Sequence, residues 1–84
     1  MNKQKLQRDA AQLQPVLHIG KAGIEGVVEE LKQQLKMKKM VKVKFLKTAL
    51  AEKGRHELAD DLATLTNSEL IEVRGNTAVY RRKG

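Results

Sequence analysis

The chain has 84 residues, of which 40% are hydrophobic and 32% charged, with a single proline and no cysteine. This length suits one domain, spanning residues 1–84, with a modest core and little room for a large cofactor. The missing cysteine excludes disulfides and thiolate metal sites, and the net charge of +7 favours a polyanionic partner. No apolar run is long enough to cross a membrane and the first residues do not resemble a signal peptide, so we expect a cytoplasmic protein.

Two segments hold most of the positive charge. Residues 36–47 carry a net charge of +6 and residues 73–84 carry +4, whereas residues 48–72 carry −4. Because helix surfaces commonly collect charge, the acidic segment is interpreted as a solvated face. The basic segments coincide with predicted strands, which makes them candidates for contact with a polyanion.

The first half of the chain predicts two helices separated by a strand. Apolar spacing indicates a helix over residues 3–13, which Pro15 ends, and residues 16–19 follow as a short strand. Residues 24–37 give the clearest helix because their apolar residues form one stripe. The stripe consists of Ile24, Val27, Val28, Leu31 and Leu35.

The second half predicts a half-buried strand and a third helix. Apolar and polar side chains alternate over residues 40–46, as is typical of a strand with one buried face. The alternation predicts Val41, Val43 and Phe45 inward, with Lys42 and Lys44 outward. A helix is predicted over residues 56–66, with Leu58, Leu62 and Leu65 on one face and Ala59 and Ala63 beside them.

The chain ends in a predicted hairpin, in which residues 70–74 and 77–82 flank a two-residue turn at Gly75-Asn76. This turn pairs Val73 with Ala78 and Ile71 with Tyr80 on one apolar face. The other face receives Glu72, Arg74, Thr77, Val79 and Arg81. The element order is therefore α-β-α-β-α-β-β, and it predicts an α/β sandwich with a mixed four-stranded sheet packed with helices.

Glycines flank the segment Gly20-Lys21-Ala22-Gly23, which joins the first strand to the clearest helix. Glycine permits positive φ and the close approach of another backbone. The helix start offers no Ser, Thr, Asp or Asn cap, so a phosphate held by free amides and the Lys21 ammonium suits this place. The alternative is a tight turn capped by water. Both common nucleotide-binding loop patterns, G-x-x-x-x-G-K-[ST] and G-x-G-x-x-G, are absent.

Basic side chains on or next to the predicted strands provide further candidate contacts with phosphate. They are Lys38, Lys39, Lys42, Lys44, Arg74, Arg81 and Arg82. The three arginines extend the lysine-rich patch if the last hairpin lies beside the strand over residues 40–46. The alternative is a lysine-decorated surface that only keeps the strand soluble.

Signals for catalysis or metal binding are missing. His18 and His56 are isolated, and the neighbouring Asp60 and Asp61 point to different helix faces. Metal ligation needs more donors than the sequence offers. We therefore expect no enzymatic activity, no metal, no cofactor and no small-molecule substrate.

Several short motifs follow one another along nearly the whole chain. They are Pro15-Val16-Leu17-His18-Ile19-Gly20-Lys21-Ala22-Gly23, Val41-Lys42-Val43-Lys44, Glu57-Leu58-Ala59, Val73-Arg74-Gly75 and Val79-Tyr80-Arg81. In this order they resemble the CRM domain (chloroplast RNA splicing and ribosome maturation), whose small stand-alone members are the YhbY-like proteins.

The resemblance implies an RNA-binding domain of α-β-α-β-α-β-β form, similar to the C-terminal domain of translation initiation factor three. It also implies that the loop over residues 20–23 acts like the RNA-clamping loop of KH domains. Family members often carry Asn where this chain has Ala22, so one side-chain contact is missing here. Stand-alone members of the family are associated with precursors of the large ribosomal subunit.

The leading hypothesis is a protein that contacts the sugar-phosphate backbone of structured RNA. Aromatic residues are limited to Phe45 and Tyr80, which disfavours recognition by base stacking. The resemblance implies ribosomal RNA during large-subunit assembly as the target. The alternative is a protein-interaction module that docks on ribosomal or other basic proteins through its acidic helix. In either case we expect a monomer that does not bind membranes.

Overall fold

The computed structural model describes residues 13–51 and 53–83. In chain order they form strand β1 (Pro15–Ile19), a 3-10 helix (Ile24–Val27), helix α1 (Val28–Met37), strand β2 (Met40–Phe45), helix α2 (Arg55–Thr66), strand β3 (Ser68–Arg74) and strand β4 (Thr77–Arg82). The helix predicted over residues 3–13 lies outside the described residues, apart from Leu13.

The strands form one mixed sheet in the order β1-β2-β4-β3. Strand β1 is parallel to β2, as expected for a connection that contains a helix, and β4 is antiparallel to both of its neighbours. The turn between β3 and β4 has Gly75 at φ 57°, which suits a tight hairpin turn. The predicted mixed four-stranded sheet is confirmed, and the final hairpin lies beside β2 through β4.

The main core fills the space between the helices and one side of the sheet, called here the core face. Val41, Val43 and Phe45 of β2 are all buried there, with exposures of 2%, 0% and 0%. Lys42 and Lys44 point to the opposite side, the outer face, where Lys44 is exposed and Lys42 half-buried. The alternation predicted for β2 is therefore confirmed.

The helix predicted over residues 24–37 is divided in the structure. Residues 24–27 form a 3-10 helix, and the α-helix begins only at Val28. Gly26 is a poor helix former, and Val27 and Val28 are β-branched, so a full α-helical turn is disfavoured here. Leu31 and Leu35 of α1 enter the core as predicted.

The buried face of α2 differs from the prediction at its last turn. Leu58, Ala59 and Leu62 are buried, but Leu65 is 47% exposed and Thr66 is buried in its place. The Thr66 hydroxyl donates to the Leu62 carbonyl oxygen at 2.7 Å and lies 2.7 Å from the Ser68 hydroxyl. Because its polar atom is satisfied in this way, Thr66 can occupy a core position.

The pairing of β3 with β4 shifts at a β-bulge. Val73 pairs with Ala78 as predicted, but Leu70 and not Ile71 lies opposite Tyr80. The register shift falls between Leu70 and Glu72, so one additional residue sits in β3 at this point. The predicted pair of Ile71 with Tyr80 is wrong for this reason.

The bulge creates a second apolar cluster on the outer face. Ile71 and Val79 are 7% and 0% exposed, and Leu13 and Met40 pack against them. Val79 does lie on the face predicted for it, but it is buried there and not surrounded by solvent. Both faces of the sheet therefore carry apolar side chains.

Candidate nucleic-acid interface

The loop after β1 forms a tight turn. The Gly23 amide donates to the Gly20 carbonyl oxygen at 2.9 Å, and this bond closes the turn around Lys21 and Ala22. Both of these side chains are exposed. The turn therefore presents Lys21 to solvent at the carboxyl end of β1.

The two loop glycines have different roles. Gly23 has φ 79° and ψ −174°, a conformation that is essentially restricted to glycine, and the space beside its Cα is open. A Cβ on Gly20 would lie 3.5 Å from Leu46 Cδ1 and Thr48 Oγ1, which is an ordinary contact. Of the two, only Gly23 has a backbone conformation that requires glycine. The open space beside its Cα permits a close approach by a ligand.

The helix start behind the loop differs from the one inferred from sequence. Gly23 caps the 3-10 helix without a side-chain hydrogen bond, as expected, but this helix has only four residues. Helix α1 begins one turn later, and Glu29 and Glu30 occupy its first turn. These carboxylates already complement the positive end of the α1 dipole. Helix α1 therefore offers little to an anion at the loop. Because the Gly23 amide closes the turn, the groups there that could attract one are the Lys21 ammonium and the other turn amides.

The loop lies at one end of the sheet, called here the loop end. Ile19 pairs with Phe45, and the Leu46 amide donates to the Ile19 carbonyl oxygen at 2.8 Å. The Phe45 amide donates to Asn76 in the hairpin turn at 2.7 Å. Lys44 directly precedes Phe45 in β2, and Arg74 is the last residue of β3 before the hairpin turn. Both residues are therefore at the same end of the sheet as Lys21.

The other predicted binding residues lie at the opposite end of the sheet, called here the far end. Met40 pairs with Arg81, and the Arg82 amide donates to the Lys39 carbonyl oxygen at 2.9 Å. Lys38 directly precedes this contact. Strand β4 separates the two ends by about 17 Å. The predicted residues thus form two groups, with Lys42 between them on the outer face.

The arginines of the hairpin have partners within the protein. Arg74 lies 3.9 Å from Glu72, and Arg81 lies 3.8 Å from Glu69. The Arg82 guanidinium reaches across the core face and donates to the Lys36 carbonyl oxygen at 3.1 Å.

The predicted lysines differ from these arginines. Within residues 13–51 and 53–83, the ion pairs include none of Lys21, Lys38, Lys39, Lys42 and Lys44. Because their charge is not offset by a nearby carboxylate in this part of the chain, the lysines are better placed than the arginines to attract an anion.

An open cleft of about 760 Å³ lies beside the loop, between the segment that follows β2 and helix α2. Lys53 and Asp61, an ion pair at 3.3 Å, and the exposed Leu65 form part of its wall. The sequence prediction assigned Leu65 to the core because its helical spacing fits a core position, and it did not single out Lys53.

Both aromatic side chains of the protein are buried. Phe45 and Tyr80 are 0% exposed, and the Tyr80 hydroxyl donates to the Ala59 carbonyl oxygen at 2.8 Å. Burial raises the pKa of Tyr80 well above its ordinary value, and the charge of Asp60 adds to this effect. Neither ring is available to stack on a nucleobase.

The described residues contain no group of three or more metal-ligating side chains close enough to hold an ion. A search of the same residues finds no helix with the length and apolar character of a membrane span.

Comparison with known proteins shows similarity over most of the chain. The probable RNA-binding protein MJ0652 of Methanocaldococcus jannaschii is 38% identical over 80 residues, which are 95% of this chain and 60% of that relative. The probable RNA-binding protein YqeI of Bacillus subtilis is 27% identical over 96% of this chain and 83% of its own length.

A solved structure agrees with this similarity. The solution structure of SAV1595 from Staphylococcus aureus, described as a candidate RNA-binding protein, superposes with a TM-score of 0.79 and 32% identity. The match covers 98% of this chain and 84% of that one. The family model of the CRS1/YhbY (CRM) domain matches residues 1–82. The chain therefore belongs to the CRS1/YhbY (CRM) domain family.

Proposed function

We propose that this protein binds structured RNA through its sugar-phosphate backbone, with the loop end as the principal contact. We further propose that the RNA is ribosomal and is bound during assembly of the large subunit. The binding residues are the loop over residues 20–23, Lys44 beside it and Lys42 next along β2. Lys38, Lys39 and the hairpin arginines Arg74, Arg81 and Arg82 make secondary contacts.

The proposal rests above all on the position of Lys21. Its loop follows directly on the Ile19–Phe45 pair, so the exposed Lys21 and Lys44 lie at the same end of the sheet. Two lysines at one end of the sheet, near a glycine whose open side admits a ligand backbone, suit a phosphodiester chain. The names of the relatives, which describe probable RNA-binding proteins, support RNA as the polyanion.

Structured RNA fits the surface better than an extended single strand. Proteins that bind single strands usually stack bases on aromatic rings, and here both Phe45 and Tyr80 are buried. Double-stranded RNA is recognised mainly by its shape and by contacts with phosphate and the 2′-hydroxyl group. Lysines on a sheet surface provide contacts of this kind.

The alternative of a protein-docking acidic helix is less well supported. Glu69 and Glu72 belong to the acidic segment of the sequence, but they lie on β3 and face Arg81 and Arg74. Asp61 of α2 is paired with Lys53. The negative charge of the segment is therefore distributed over two elements and partly neutralised, and only Glu57 and Asp60 of α2 are left as exposed carboxylates outside these pairs, which gives the alternative less support.

A binding measurement with matched charge changes tests the proposal. Lys21→Ala combined with Lys44→Gln should weaken binding to an RNA duplex by about tenfold at fixed salt, because two phosphate contacts are removed. Arg55→Glu lowers the net charge by the same amount at one exposed position outside the proposed contact and should change affinity less than threefold. Equal losses for the two variants would show that only net charge matters.

The identity of the RNA requires a separate experiment. Crosslinking in living cells, followed by sequencing of the attached RNA, should recover mainly fragments of large-subunit ribosomal RNA. The double variant Lys21→Ala with Lys44→Gln is the control and should lose this enrichment. Recovery of other RNA classes in proportion to their abundance would contradict the ribosomal target while leaving RNA binding intact.

A further inference from the structure

A second basic pocket lies at the far end of the sheet, on the core face. It has a volume of about 210 Å³, and its walls come from the second half of α1, the junction of α2 with β3, and the end of β4. The lining residues are Lys32, Leu35, Lys36, Thr66, Asn67, Ser68, Arg82 and Lys83. We call this the far-end pocket. Most of these residues were not among the binding residues predicted from sequence.

The charge of the far-end pocket is uniformly positive. Four of its lining side chains are Lys or Arg, and the described part of the chain contributes no carboxylate to its walls. The nearest ion pair joins Lys32 to Glu29 at 3.6 Å, and the Glu29 side chain is 84% exposed. Such a pair is largely screened by water, so it leaves most of the pocket's charge unopposed.

The ends of the two helices explain only part of this charge. Helices α1 and α2 both terminate at the pocket, and each C-terminus carries roughly half a negative elementary charge. The Arg82 guanidinium meets one of these ends by donating to the Lys36 carbonyl oxygen at 3.1 Å. Together the two helix ends neutralise about one positive charge. Most of the charge of the four cationic side chains is therefore left unopposed.

The polar groups in the walls do not compete for these cations. The Thr66 hydroxyl is bonded to the Leu62 carbonyl oxygen and to the Ser68 hydroxyl. The Asn67 side-chain oxygen accepts a long bond of 3.5 Å from the Lys83 ammonium. The groups left to bind a ligand are therefore donors, namely the other N–H groups of Arg82 and the lysine ammoniums. Their natural ligand is an anion with several oxygen acceptors.

We infer that the far-end pocket binds a phosphate of a second segment of the RNA, separate from the segment held at the loop end. This inference builds on the proposed function. The two sites lie at opposite ends of the sheet, about 17 Å apart along β4. A long structured RNA engages both sites, so binding at one raises the effective concentration at the other. A short RNA engages one site at a time.

RNA length is the variable that tests this inference. The pocket variant combines Lys36→Gln and Lys83→Gln, which changes two lining side chains exposed to solvent. With a duplex of about 16 base pairs, the length that a double-stranded-RNA-binding domain spans, its affinity should fall about tenfold. With a hairpin of about four base pairs, the affinity should fall less than about twofold, because the loop end still binds it.

Two controls separate the possible outcomes. Arg55→Glu lowers the net charge by the same amount elsewhere and should affect both RNA lengths equally and weakly. Addition of the long duplex should shift the Asn67 amide resonance in the parent protein and not in the pocket variant. Parental affinity of the pocket variant for the long duplex, or equal losses at both lengths, would overturn the second site. If Lys21→Ala with Lys44→Gln still weakens binding in that case, the proposed function stands without it.

Discussion

The Tyr80 hydroxyl donates a hydrogen bond to the Ala59 carbonyl oxygen, 2.8 Å away and 21 residues earlier in the chain. The bond joins β4, which lies between the two other long strands, to helix α2 on the core face. Both residues are 0% exposed. This contact fixes the position of α2 over the sheet, and with it the cleft beside the loop.

Replacing Tyr80 with Phe should lower the free energy of unfolding by about 1 kcal/mol at neutral pH, the usual contribution of one buried hydrogen bond. The ring stays in place, and the Ala59 carbonyl can still accept its helical bond. Urea denaturation followed by circular dichroism measures the change. A loss above about 3 kcal/mol would indicate that the hydroxyl holds more of the structure than this single bond.

The same substitution should change how stability depends on alkaline pH. The pKa of Tyr80 is raised in the folded protein and is about 10 in the unfolded chain, so its contribution to stability is complete below pH 10. Above that pH the unfolded chain loses a proton that the folded protein keeps, so stability falls. The parent should therefore lose more stability than Tyr80→Phe between about pH 9 and pH 11. Parallel curves for the two proteins would contradict the raised pKa.

The second apolar cluster should contribute to stability although it lies outside the main core. Val79→Ala should cost about 2 kcal/mol, because it leaves a cavity at a position that is 0% exposed. Leu65→Ala is the matched control and should cost less than about 1 kcal/mol, although Leu is the larger residue, because Leu65 is 47% exposed. Thermal melting of both variants measures the two losses of stability. A larger loss for Leu65→Ala than for Val79→Ala would refute the assignment of buried faces.

The loop glycines should respond unequally to the addition of a methyl group. Gly23→Ala places a side chain at φ 79°, where strain costs about 1–3 kcal/mol, and should lower the melting temperature by several degrees. Gly20→Ala adds its Cβ at ordinary contact distance from Leu46 and Thr48 and should melt within about 2 °C of the parent. Equal melting temperatures would show that the turn relaxes at no cost.

Salt dependence should distinguish the predicted lysines, which form no ion pair with the described residues, from the paired arginines. Lys44→Gln should make the plot of log K against log salt for duplex RNA shallower by roughly one unit at most, as expected for the loss of one phosphate contact. Arg74→Gln should change the slope less, because Arg74 lies 3.9 Å from Glu72. Glu69→Gln should increase affinity by releasing Arg81. A slope that is the same in all three variants would contradict phosphate contact at these positions.

The sequence alone determined the type of almost every described element and the inner face of β2. These are local properties, because the alternation of Val41, Lys42, Val43 and Lys44 fits only a strand with one buried side. The parallel pairing of β1 with β2 also followed from the helix between them. The ordered motifs over nearly the whole chain also predicted the CRM family, which the family comparison confirms.

Only the tertiary structure decided which residues are neighbours across elements. The bulge at Ile71 buries a second cluster, and Thr66 replaces Leu65 in the core because Ser68, beyond the end of α2, satisfies its hydroxyl. The strand order puts Lys21 and Lys44 at one end of the sheet, and Arg82 at the other end, facing α1. Helical and strand periodicity encode the direction of a side chain within its own element. They do not encode register, bulges or charge partners, which depend on contacts between distant parts of the chain.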